Sequence, residues 1–240
     1  YNLVIEFMWK NSFLQNVVYK GIHLHEVEGM KENYASYCMH ILRNECSVMM
    51  LTKDETQIVA VALIEWMTEE WHSWILLPST VTKGLFQEFI LLKKELVHNT
   101  KIAMGLECFD ALTVHEVGFP DDLYTNMDFQ ICIFDVFGSV AQHMHMPRVC
   151  FIALTTREQD AADLAEYADY GRSIYSIYKV GNKRPFDILR DLDEMYALIY
   201  LLPLDPIIHY LNMPGFEKFH EALRAKEQKE REEELMRMNE

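Results

Sequence analysis

Between Ser47 and Leu204 the hydrophobic pattern changes period again and again, and that alternation limits the fold more than any other feature. Val59, Val61 and Leu63 repeat every second residue, as in a half-buried strand. The runs 47–51 and 57–66 flank a polar connection of hairpin length, Thr52-Lys53-Asp54-Glu55-Thr56. Residues 84–98 and 127–143 instead carry apolar side chains at helical spacing. Short strand runs follow at 111–115 and 148–155, a helix is expected over 161–170 ending near Gly171, and strands over 174–180 and 195–204. Residues 28–43 read as an amphipathic helix, 1–9 as a helix or strand, and 185–191 as a short helix. Strands interleaved with helices predict an α/β class with a mixed sheet and flanking helices.

From about Glu217 the composition shifts. The segment EKFHEALRAKEQKEREEELMRMNE is nearly all charged and free of breakers, so a solvated C-terminal helix is expected over 217–240, after a domain spanning 1–216. Its apolar residues are too sparse for a coiled-coil seam, and docking along a protein partner is the role it would offer. Whether an N-terminal strand precedes Tyr1 is open.

The chain has 240 residues and a net charge of −15, from 22 Lys and Arg against 37 Asp and Glu. Such a field repels phosphate backbones and anionic membrane faces, so neither nucleic acid nor a membrane is an expected partner. No apolar run approaches the ~20 residues that cross a bilayer. The five cysteines, at 38, 46, 108, 132 and 150, form no CxxC pair. They are expected to be reduced and mostly buried, in a cytoplasmic protein.

Several strings resemble the GNAT superfamily, particularly the insect-type arylalkylamine N-acetyltransferases. CSVMMLTKDETQIVAVAL (46–63) looks like that family's hairpin, and LTVHE (112–116) is similar to its L-S-V-H-P strand end. Residues 153–170, with Thr155, Thr156, Ala162, Leu164, Glu166 and Tyr170, are similar to its T-S-x-x-S-A-x-I-F-E-K-L-G-F segment. SIYSIYK (173–179) looks like the strand that follows, and FMWKNSFLQNVVYKGIHL (7–24) resembles F-F-x-D-E-P-L and its continuation. The resemblance spans about residues 1–215 in the family's order and implies a GNAT (acyl-CoA N-acyltransferase)-like fold.

It also implies two sites. An R/Q-x-x-G-x-G/A loop after the central strand would cradle the cofactor pyrophosphate on backbone N–H groups and a helix N-terminus. The implied Arg, Gly, Gly and Gly or Ala fall on Phe119, Pro120, Asp122 and Tyr124. Phe119 cannot pair with phosphate, Pro120 has no N–H, and Asp121 and Asp122 add negative charge. Without the resemblance, 118–123 is a surface turn leading to an Asp-rich helix start. The implied catalytic glutamate falls on Asn16, an amide that cannot take a proton from an amine. The nearest acids are Glu6 and Glu26.

The expectation is therefore a catalytically degenerate N-acetyltransferase-like protein, a binding or structural module with no cofactor and with protein partners. The alternative is a divergent acetyl-CoA-dependent N-acetyltransferase acting on a small amine. His115 is then a candidate base, against the plainer reading of a strand-end histidine, with Glu116 beside it solvated. Thr155, Thr156, Tyr170 and Tyr175 are candidates for an acceptor groove. The pairs His143/His145 and His23/His25 lack further ligands at zinc spacing, and no metal is expected.

Overall fold

The computed structural model describes residues 1–67, 84–106 and 110–204. The charged segment 217–240 and Cys108 lie outside them.

The core is a six-stranded mixed sheet in the order β1-β2-β3-β4-β6-β5. Its strands are β1 (Val48–Leu51), β2 (Ile58–Met67), β3 (Ala111–Gly118), β4 (Arg148–Ala153), β5 (Ala168–Ile174) and β6 (Tyr196–Pro203). All neighbours are antiparallel except β3 and β4. Parallel pairing there is confined to Leu112–Val114 against Val149–Phe151. Beyond Val114 the two strands are no longer paired, although both continue.

Helices cover both faces. On one lie α1 (Asn2–Met8), which runs on through a π-helical turn to Phe13, then α2 (Val17–Gly21), α3 (Met30–Leu42) and α4 (Leu85–Ala103). On the other lie α5 (Met127–His143) and α6 (Thr156–Leu164). Strand alternation divides the side chains between them. Val61, Leu63 and Met67 point to the four-helix face, and Ala60, Ala62 and Ile64 to the two-helix face. In α5, Ile133, Phe134, Phe137 and Ala141 form the inward stripe at helical spacing. Cys132 falls on the opposite side of that helix and is exposed, contrary to the expectation of a buried thiol.

Two expected elements move. The helix placed at 161–170 occupies Thr156–Leu164, and β5 starts at Ala168, six residues before the expected strand. Gly171 does not stop the helix: Ala165 ends it, with Glu166 in the left-handed region at φ 63°. Gly171 sits in β5 beside a bulge, where any β-carbon would collide with the Thr100 hydroxyl.

Candidate functional site

β3 organises the candidate site through one irregularity. Leu63 pairs with Glu116 and Ile64 with Val114, so His115 is an extra residue, a β-bulge. Without it, His115 and Glu116 would face opposite sides of the sheet. With it, Leu112 and Val114 before the bulge, and Val117 and Phe119 after it, share the two-helix face. His115 and Glu116 both turn to the four-helix face, where their partners lie.

Glu116 is buried at 5% exposure and gathers donors from four elements. Its Oε1 accepts from Tyr19 at 2.5 Å and from Lys93 Nζ at 3.5 Å. Its Oε2 accepts from Ser12 at 3.0 Å and from Tyr34 at 2.6 Å. Lys93 also donates to the His115 carbonyl at 3.3 Å. Burial pushes the Tyr19 and Tyr34 phenols well above their ordinary range, and the Glu116 charge adds to it. Burial pushes Lys93 down, with Glu116 opposing. One strand position away, His115 Nε2 meets Glu65 Oε2 at 2.9 Å, and Asn44 donates to the other Glu65 oxygen at 3.2 Å.

These contacts correct two expectations. His115 does not end the strand, which runs three residues further, and at 1% exposure it is buried. Glu116 is not solvated. Gly118 explains how the N-terminal helix reaches it: a β-carbon there would lie 2.8 Å from Met8 Sδ and 3.2 Å from Ser12 Cβ.

The loop after β3 is packed from within. Phe119 is 6% exposed and lies against Tyr124, with ring centroids 4.2 Å apart, and edge-on to Phe129 at 5.5 Å. Its N–H donates to the Asn11 carbonyl, as does the Tyr124 hydroxyl at 3.2 Å. Residues 121–125 form a 3-10 turn with Asp121 and Asp122 exposed. The N-terminus of α5 is capped by Asn126, which accepts from the Phe129 N–H. Arg157 stacks over the Tyr124 ring at 4.8 Å. Where β3 and β4 part, between Val117, Phe119, Phe151 and Glu158, a pocket of about 30 Å³ remains. That is room for about two water molecules.

Asn16 caps α2, its Oδ1 accepting from the N–H groups of Val18 and Tyr19. Gln15 beside it lies against Asp121; with its amide nitrogen turned that way it donates to both carboxylate oxygens, at 3.0 and 3.2 Å. The groove candidates are also engaged. Thr155 caps α6 in a reciprocal pair with Glu158, and Thr156 binds Glu194. Tyr175 is fully buried and donates to the Leu154 carbonyl at 2.8 Å, while Tyr170 is a core residue at 4% exposure. His23 and His25 share Glu26 at the surface, and no group of three or more potential metal ligands occurs among the described residues.

No protein-family model matches the sequence, and a search of curated proteins finds no match. Solved structures do match. Arylalkylamine N-acetyltransferase 2 from Aedes aegypti superposes with a TM-score of 0.69 at 12% identity, over 84% of this chain and 93% of that one. An agmatine N-acetyltransferase, in an apo mutant form, gives 0.65 at 12% over the same shares. The C-terminal condensation domain of Ebony, solved with β-alanyl-dopamine, gives 0.63 at 13%, again over 84% and 93%. The chain has the GNAT fold. Within a GNAT-fold sheet, the unpaired stretch between β3 and β4 and the loop closed by Phe119 lie side by side at the ends of adjacent strands.

Sequence reasoning missed Lys93, Glu65, Ser12, Tyr19 and Tyr34. Two had a visible signal. Lys93 interrupts the apolar stripe Phe86-Phe89-Ile90-Val97 of α4, and Glu65 falls on the buried alternation Val61-Leu63-Met67 of β2. A charge at a core position predicts a partner opposite it.

Proposed function

We propose that this chain is a non-catalytic protein on the N-acetyltransferase fold, working as a binding module rather than by acyl transfer. The observation that carries this reading is the loop after β3, closed by its own Phe119, Tyr124 and Phe129. Its residues do not fit the pyrophosphate of an acyl-CoA. Pro120 offers no N–H, and the Phe119 N–H is spent on Asn11. The start of α5 is capped internally, and Asp121 and Asp122 stand where phosphate would need positive charge. Asn16, in place of the implied glutamate, is committed to capping α2.

The ligand of such a module is a protein partner, engaged through the charged segment 217–240 or through the domain surface. Nucleic acid is disfavoured by the net charge of −15. No helix among the described residues is long and apolar enough to cross a membrane.

A second reading, an acetyl-CoA-dependent N-acetyltransferase acting on a small amine, draws on Glu116. A buried carboxylate beside two phenols could take a proton from an amine. Against it, both Glu116 oxygens already accept two bonds each from the chain itself. A thiol-release assay with acetyl-CoA and a panel of arylalkylamines and polyamines separates the two. The expected result is release equal to the amine-free blank. Saturable release that depends on the amine, and is lost in Glu116→Gln, would establish the second reading.

A further inference from the structure

The polar cluster beneath β3 has the chemistry of an ammonium receptor. Lys93 Nζ is wholly buried, with the Glu116 carboxylate at 3.5 Å and the His115 carbonyl at 3.3 Å. It lies 5.7 Å from the centre of the Tyr37 ring and 5.8 Å from that of Phe89. A carboxylate, a carbonyl and two ring faces are the groups that replace water around a desolvated alkylammonium ion. Taking such an ion out of water costs several kcal/mol, so it stays buried only where the surroundings are built to hold it.

We propose that this cluster is a cage for a primary alkylammonium ion, closed in this chain by its own Lys93 side chain. The inference deepens the non-catalytic reading and rests on it, since it gives the reason why no free amine approaches Glu116. Each Glu116 oxygen already accepts two hydrogen bonds, and Lys93 supplies one of the four. Removing that side chain frees the carboxylate for an amine while Tyr19, Tyr34 and Ser12 keep it in place. The ligand class follows from what is removed. Lys93→Ala deletes Cγ, Cδ, Cε and the ammonium, so an unbranched n-propylammonium ion matches the vacated space.

The test is thermal melting and titration calorimetry of full-length Lys93→Ala with n-propylammonium chloride, using sodium chloride and n-propanol as controls. A saturable rise in Tm and one-site binding with the ammonium, absent with either control, is the expected outcome. Wild type and Lys93→Met, whose side chain fills the space without charge, should show neither. Lys93→Ala/Glu116→Gln should lose the response. An equal rise in Lys93→Met, or none in folded Lys93→Ala, overturns the proposal. Should Lys93→Ala not fold in buffer, refolding from urea replaces melting as the readout. Native circular dichroism only with n-propylammonium supports the cage, and none under either condition overturns it. Wild-type acetyl-CoA binding is scored separately, so failure of the cage and failure of the non-catalytic reading are told apart.

Discussion

On the four-helix side of the sheet, Glu65, His115, Glu116 and Lys93 lie in the core; on the two-helix side, the same strands pack against Phe134, Phe137 and Ile133. The polar residues buried on the second side serve helix ends and backbone carbonyls: Thr155 in its cap, Gln130 on the Tyr124 carbonyl, Gln159 on that of Tyr196. Apolar packing holds both faces. Among the described residues, the first face adds the buried ion pair Lys93–Glu116 and a hydrogen-bond network whose members lie far apart in sequence, since Ser12 and Glu116 are 104 residues apart. The first face is therefore specified by pairing and the second by shape. A paired face tolerates loss of one member badly, because the other is left buried and uncompensated. A shape-specified face loses stability by volume.

Breaking the pairing should give the largest effect. Lys93→Ala or Glu116→Ala is expected to cost about 3–5 kcal/mol in urea unfolding. Lys93→Met/Glu116→Gln should cost less than the sum of its single changes, a coupling that a double-mutant cycle measures. Additive costs would show that the two residues act independently.

Next comes alkaline pH. Burial raises Tyr19, Tyr34, Tyr37 and Tyr175 well above the ordinary phenol value of 10.0. Above pH 10 the folded chain keeps protons that the unfolded chain releases. The stability these phenols contribute is present in full below that pH and is lost as pH climbs towards their folded values. Lys93 runs the other way, its lowered value favouring the fold as pH rises towards 10.5, but it is one group against four. Phenolate absorbance should therefore show a late step coincident with loss of ellipticity. Smooth titration of all twelve tyrosines in a folded protein would contradict the polar face.

Asn126→Ala removes the cap at the start of α5 and should cost about 1 kcal/mol. Ile133→Val on the apolar face should cost a similar amount, about 0.5–1.5 kcal/mol, with no change in the alkaline transition. An altered pH profile in Ile133→Val would mean that the two faces are not separable.

Much of the fold was legible in the sequence because its helices and strands keep clean periods. The helix expected over 127–143 occupies those residues, and β1, β2 and β6 fall within two residues of their expected ends. The site was legible only in part. The loop Phe119, Pro120, Asp122 and Tyr124 shows by residue type that it lacks glycines, but not that Phe119 folds back to fill it. The bulge at His115 leaves no local mark in LTVHEVG, because it arises from pairing with β2 across the sheet. Simple alternation therefore sends Glu116 to the wrong side. Gly171 misled for a related reason: its constraint is the approach of Thr100, not a helix end.

The most direct test of the closed loop is titration calorimetry of the wild-type chain with acetyl-CoA at low and moderate salt. The account predicts no saturable heat up to millimolar cofactor. A one-site micromolar isotherm would contradict it and establish that Phe119 and its neighbours open to admit the cofactor.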